Sequence, residues 1–451
     1  MTIPLRPSYQ LIQDFGGTAA TDNWAEGEWS SKKGFPSAVT FHEGRLWFFG
    51  KNGVFGSGSD NFYQFDDEIE GDSAPINRTI GSGPVDNVSW GLSLSRLVFG
   101  TDGSEIVGKS SNDDNILTPA NFNPKATSTQ GSYVVPAVKI DKRGVFVTRS
   151  GVQVYEVAIE EDDYEYGSGD LTALYPEIGK PGIVRIAVQR QPDTRVHFVR
   201  SDGKVALLVI DKLEKVLAWM LIETDGTIED VVVLPADTGT GEDNVYYSVN
   251  RTINGSTVRY LEKWALEANC IGGTLNHQAD SYYQYSGAAT TTITGLTHLE
   301  AESVVVWANG KDLGSYTVSG GQITGLSESV TSAIVGLTYT AQWESAKLAR
   351  SGEAGTTMTH KKKVEHIGVV LANTHHKGLR YGKDFNSLDD LPQTKDGANV
   401  AADTVYSAYD EEPFTFGGSW DSDSRVCLQA QAPKPCTVLA ITLPVETHAK
   451  Y

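Results

Sequence analysis

Apolar and polar positions alternate along most of this chain with the period of two that suits a strand packed on one face. The run "GFPSAVTFHEGRLWFFG" (34–50) shows the pattern at its clearest. It predicts a β-hairpin with strands at 37–41 and 45–49, a His42-Glu43-Gly44 turn between them, and Gly50 as punctuation. Alternation places Val39, Phe41, Leu46 and Phe48 on the buried face, with Pro36 and Gly44 setting the ends.

The hairpin recurs. "RLWFFGKNGVFGS" turns at Gly53, "RLVFGTDGSEIVG" at Gly103, "GVFVTRSGVQVYEV" at Gly151, "RVHFVRSDGKVALLV" at Gly203 and "NVYYSVNRTINGSTVRYLEKW" at Gly255. A further strand pair precedes several of them, as in "DNVSWGLSLSRLVF" and "GIVRIAVQRQPDTRVHFV". Units of about fifty residues with about four short strands each have the size of β-propeller blades. The expected fold is therefore all-β, a propeller of about five to six blades, occupying 34–268 after an N-terminal extension at 1–33.

After Trp264 the period breaks. The Thr-, Val- and Gly-rich stretch 280–343 predicts a small β-sandwich or barrel inserted into the larger body, with module limits at 269–350. "ARSGEAGTTMTHKKK" reads as a linker, and 351–451 as a C-terminal β segment that closes the body. Within it, the polar stretch 375–415 reads as an extended loop. "AQWESAKLARS" is the one short helix candidate.

Composition agrees with a β-rich globular protein: 451 residues, 39% hydrophobic and 21% charged, with 46 Gly and 19 Tyr but only 3 Met. No apolar run is long enough for a membrane span, and the first residues lack the apolar core of a secretion signal. Cys270, Cys427 and Cys436 are scattered without metal-site spacing, which fits synthesis in a reducing cytoplasm. The four Asn-x-Ser/Thr sequons, at Asn77, Asn87, Asn250 and Asn254, are expected by chance in such a chain. A net charge of −20 argues against a broad basic face wrapping nucleic acid, though DNA could still pass nearby without sticking.

Motifs with catalytic or ligand-binding precedent are weak. "GSEIVGKS" (103–110) satisfies the phosphate-loop pattern, but its middle residues alternate like a strand and no helix-forming stretch follows. The acidic run "EEDDYEYGSGD" (160–170) lacks calcium-loop spacing and reads as a solvated loop, as does "DDEIEGD" (66–72). His360, His366, His375 and His376 lie close in sequence without a metal-site pattern, so packing or surface roles are expected. Lys361-Lys362-Lys363 reads as a solvated strand entry, with a contact to DNA or an acidic neighbouring ring as the alternative. No catalytic residue, cofactor or metal is expected.

The opening run resembles the signature G-[YF]-P-x-A-V-x-F-H-x-x-R-L-W-F-x-G of bacteriophage tail nozzle proteins, also called tail tubular protein B of short-tailed phages. In this chain its positions are Gly34, Pro36, Phe41, Arg45, Leu46, Trp47, Phe48 and Gly50. "GVFGSGSDNFYQFD", "GDLTALYPEI", "GLTHLEAESVVVWANGK" and "PKPCTVLAITLPVET" are similar to later segments of that family, in the same order. Family members usually carry a longer region before the signature than the 33 residues here. The resemblance implies a structural virion protein made in the host cytoplasm. It implies a homohexameric ring at the distal end of a short tail, joined to a portal or adaptor ring and to tail fibres. Phage DNA would pass through without specific binding. Asp162, Asp163 and Glu165 are the candidate lumen or gate acids. The alternatives are a propeller-type glycan-binding or glycan-hydrolysing tail protein, tested by changing Asp162 or Asp163, and a peripheral tail or baseplate protein of a long-tailed phage.

Overall fold

The computed structural model describes residues 29–50, 53–81, 87–109, 116–160, 164–237, 239–352, 355–395 and 397–448. Strands dominate throughout; among these residues there is no α-helix, only single 3-10 turns at Glu267–Asn269 and Thr297–Leu299. None is a helix long and apolar enough to cross a membrane. The chain divides into two compact units, Met1–Arg149 with Val157–Ser168, and Ser150–Glu156 with Gly169–Tyr451.

The first unit opens with β1 (Ala38–His42), β2 (Arg45–Gly50), β3 (Gly53–Gly56) and β4 (Ile76–Thr79), a sheet whose spatial order is its sequence order. A second sheet repeats that plan with β5 (Val88–Ser93), β6 (Leu97–Thr101), β7 (Glu105–Lys109) and β8 (Asn123–Ser128). Trp47 and Phe49 of the first sheet pack against Leu97 and Phe99 of the second, and Phe122 just before β8, to make one core. Strands β9 (Val138–Ile140), β10 (Arg143–Val147), β11 (Val154–Ile159) and β12 (Tyr166–Asp170) form a third four-stranded sheet.

The second unit continues with β13 (Ile183–Gln189), β14 (Arg195–Arg200), β15 (Val205–Asp211) and β16 (Val216–Ile222), again in sequence order. A three-stranded sheet follows: β17 (Thr227–Leu234), β18 (Asn244–Ile253) and β19 (Ser256–Lys263). These successive antiparallel meanders are the blade plan of a propeller-type all-β fold. The fifty-residue repeat of the sequence is therefore physical. In all five sheets the repeated hairpin joins the second strand to the third, with Gly103, Gly151, Gly203 and Gly255 in the connecting turns. Gly53 instead opens β3 opposite Gly50, and residues 51–52 between them lie outside the described residues. At Gly203 the requirement for glycine is strict, because φ is +79° and a Cβ would sit 2.8 Å from the Thr227 Cα.

The inserted module comprises β20 (Asp280–Thr290), β21 (Ile293–Thr294), β22 (Ser303–Ala308), β23 (Lys311–Thr317), β24 (Gln322–Ile323) and β25 (Val330–Leu337). A four-stranded sheet in the order β20-β25-β22-β23 and the ribbon β21-β24 share a core that includes Leu296, Leu299, Val304, Val306 and Val335. The expected helix "AQWESAKLARS" is absent. Its first half is β26 (Thr340–Glu344), which pairs with a C-terminal strand and so lies outside the module's own sheets.

The C-terminal segment carries more strand than its polar sequence suggests. The expected linker contains the small hairpin β27 (Ser351–Gly352) and β28 (Gly355–Thr356), followed by β29 (Lys361–Val364) and β30 (His366–His375). The stretch expected to be a loop holds β31 (Leu379–Asp384), β32 (Ser387–Asp390), β33 (Thr394–Lys395), β34 (Ala398–Asn399), β35 (Val405–Tyr409) and β36 (Phe414–Thr415). Strands β37 (Cys427–Gln431), β38 (Thr437–Thr442) and β39 (Val445–His448) complete the segment. Its core is built on Ile367, Val369, Leu371, Leu379, Tyr381 and Val426, so one apolar residue in two on β30 and β31 suffices to fix these strands.

Candidate functional site

The first hairpin forms where expected, but with the opposite face inward. Val39 and Phe41 are 57% and 61% exposed, and Leu46 and Phe48 only half-buried, whereas Trp47 and Phe49 are fully buried. The two-residue turn Glu43-Gly44 has φ of 46° and 67°, the left-handed pair that joins adjacent strands with matching twist, and sets His42 opposite Arg45. Because side chains alternate, burying Trp47 and Phe49 also buries Arg45. Its guanidinium donates to the carbonyls of Ser57 (2.6 Å), Ala74 (2.7 Å) and Asp72 (2.7 Å). Three charge-assisted bonds offset the cost of removing this cation from water.

The remaining signature positions serve the same framework. Gly34 closes a bridge with Ser30 at φ 102°, and Pro36 leads into the strand beside Ser37, whose hydroxyl donates to Val88 O at 2.6 Å. The Trp47 indole N–H donates to His42 O at 3.1 Å. At Gly50 any Cβ would lie 2.6 Å from the Trp29 ring. Phe41 meets Phe62 edge-on at 5.3 Å and Phe48 meets Phe65 at 5.5 Å, so the "GVFGSGSDNFYQFD" segment lies on the hairpin's outer face. Phe35, Val39, Phe41 and the nearly fully exposed Tyr63 are presented to solvent.

Asp162 and Asp163 lie outside the described residues. Glu165 forms an ion pair with Arg96 at 3.3 Å, which ties the acidic loop to the turn before β6. The phosphate-loop pattern is hairpin: Gly103 turns, and 105–109 is strand β7 paired with β6 and β8. Glu105, the acid inside it, is fully buried and accepts from the Ser132 hydroxyl at 2.8 Å. Burial pushes its carboxyl above the usual range.

Several buried polar groups escaped sequence reasoning. Lys362, expected on a solvated strand entry, is fully buried, its Nζ donating to the carbonyls of Thr357, Met358, His360 and Ser422 at 2.9–3.3 Å. Strand alternation was the available signal: in a run of three lysines on a strand, the middle one points the other way. His197 accepts from the Tyr247 hydroxyl at Nδ1 (2.6 Å) and faces Gln189 Oε1 with Nε2; burial, with Arg195 nearby, holds its pKa down to about 3. Arg251 grips Glu262 with two bonds of 2.7 Å and Asp280 at 3.1 Å, joining β18, β19 and the first residue of the inserted module.

Two apolar surfaces stand out in the second unit. The edge strand β16 reads "VLAWMLI", with Val216, Leu217, Met220 and Leu221 exposed. A groove of about 430 Å³ lies between β26, β37 and β38, lined by Trp343, Leu428, Val438 and Ile441 among others.

No protein-family model and no curated protein matches the chain. Similar solved structures include a chain of the Saccharomyces cerevisiae assembly of Dbp5 with Nup159, Gle1, IP6 and ADP. That match is 9% identical over 66% of this chain and 80% of that chain, with a TM-score of 0.28. Another is an exo-β-1,3-galactanase from Phanerochaete chrysosporium, 8% identical over 92% of this chain and 98% of that one, with a TM-score of 0.26. Similarities this low assign neither family nor activity.

Proposed function

We propose that the chain is a structural, non-catalytic nozzle protein of a bacteriophage tail. Six copies form a ring on the tail axis that joins an adaptor or portal ring, supports fibres and gives DNA its exit. The observation that carries the reading is the signature hairpin. Its Arg45 is spent on three main-chain carbonyls and its Trp47 on the core, so the motif works as a rigid blade element that displays Phe35, Val39 and Phe41. The surfaces suit the role. The exposed apolar edge β16 and the apolar groove beside β38 are unlike patches, and contacts between unlike patches run head to tail and can close a ring. A charge of −20 per copy keeps phosphates from sticking to such a conduit.

The purified full chain tests the assembly directly. Sedimentation should give a species of about six protomers that depends on the apolar edge and dissociates in Met220→Glu. Duplex DNA should show no retardation at physiological salt. A stable monomer with cleavage of surface polysaccharide would overturn the reading in favour of a glycan-active tail protein.

A further inference from the structure

We propose that the buried pair His375–His376 is an acid-sensitive latch, which seats the inserted module on the C-terminal body while neutral and releases it once protonated.

The geometry is that of a seam. His375 ends β30, and its ring centroid lies 4.4 Å from that of His376; both residues are more than nine-tenths buried. Trp307 of the module's β22, fully buried, meets His375 edge-on at 6.1 Å and donates its indole N–H to Gly273 O at 3.0 Å. Around them Ala279, Val305 and Ile334 pack with Val405 of β35, across the same seam. Two polar ties flank this contact, Lys434 to Asp312 at 2.8 Å and Asn276 Nδ2 to Pro433 O at 2.7 Å.

The His375 imidazole is held in a form that excludes a second proton. Nδ1 of His375 accepts from the Lys377 main-chain N–H at 3.1 Å, so its own hydrogen sits on Nε2. That Nε2 has no hydrogen-bond partner, and Asp403 Oδ1 stands 3.7 Å away. His376 Nδ1 is likewise without a partner. The charged groups facing the pair nearly balance: Asp403 and Asp312 on one side, Lys434 and Lys377 on the other. Burial decides the outcome, pulling His375 down to about 4 and lowering His376 as well.

Protonation of His375 would place an N–H at Nδ1 against the Lys377 N–H, two donors with no acceptor between them. Protonation of both would set like charges 4.4 Å apart in a dry site, with a single carboxylate close by. Opening the seam lets both rings reach water, where they titrate near their ordinary value. The open form therefore binds protons first as pH falls below about 6.5, and each histidine favours it about tenfold per unit until its closed-state value is reached.

Hydrogen exchange of the full chain, corrected for intrinsic rates, tests the latch. Between about pH 7 and about pH 4, protection of 273–279 should drop at least about tenfold, while β18 and the module strands β22 and β25, which bond to each other, keep theirs. The double variant His375→Asn/His376→Asn should show no such drop, since Asn can accept from Lys377 but cannot titrate. Should that variant fail to fold, Asp403→Asn serves: losing the carboxylate lowers the closed-state value of His375 further, so the drop keeps its onset, continues further below about pH 4 and ends larger. Unchanged protection in the wild type overturns the proposal. So does a loss spread evenly over all sheets, or a drop that Asp403→Asn makes smaller.

Discussion

Arg45 and Ala74 lie far apart in sequence, yet the guanidinium of the first donates to the carbonyl of the second at 2.7 Å. Through this bond and those to Ser57 and Asp72, one side chain fixes both ends of the long connection between β3 and β4. The relationship explains why a charged residue sits beside Trp47 inside the first sheet.

Arg45→Met should therefore be far more damaging than a surface charge loss. It leaves buried carbonyls without donors, and a cost of about 3–5 kcal/mol is expected. Chemical denaturation should show it as a lower midpoint with an unchanged slope. Arg45→Lys should recover little, because an ammonium lacks the planar fork that serves three acceptors.

The inverted face of the hairpin gives a sharper contrast. Trp47→Ala or Phe49→Ala should cost about 3–5 kcal/mol, whereas Val39→Ser and Phe41→Ser should fall within about 0.5–1 kcal/mol. Thermal melts of the four variants check it. Equal losses in both pairs would contradict the assignment of the buried face.

Gly203→Ala should destabilise by more than the ordinary propensity difference, because the left-handed backbone and the Thr227 main chain both oppose a Cβ. Gly255→Ala shares the positive φ but opens into free space, so its cost should be smaller. Comparing the two separates backbone strain from steric contact.

Acid should weaken the fold through His197. Its pKa is held at about 3 in the native state by burial, and is about 6.5 in the unfolded chain. The unfolded state thus binds more protons as pH drops from about 6.5 to about 3, and stability falls across that window by up to about 1.4 kcal/mol per unit. His197→Gln should flatten part of that slope in denaturation measured against pH.

The sequence made the repeat legible because hairpins depend on local signals, alternation on either side of a Gly turn, and these occur at nearly constant spacing. The buried face of the first hairpin was not legible. Leu46, Trp47, Phe48 and Phe49 are apolar on both parities, and the charge of Arg45 pointed outward until carbonyl partners distant in sequence became visible. The strands of 375–415 were hidden because β32 to β34 are short and polar, β32 relying on its neighbour β31 while β33 and β34 pair with each other. Of the candidate acids, only Glu165 lies among the described residues, and its partner Arg96 is far away in sequence. The His375–His376 pair was visible as two letters, but its burial against Trp307 depends on the fold.

The central claim is the place of this chain in a particle. A cryo-EM map of the virion that carries it, reconstructed without imposed symmetry, tests that most directly. The account predicts six copies in a ring on the tail axis, with a channel or DNA through the middle. Copies off the axis, in threes or seated on surface glycan, would contradict it.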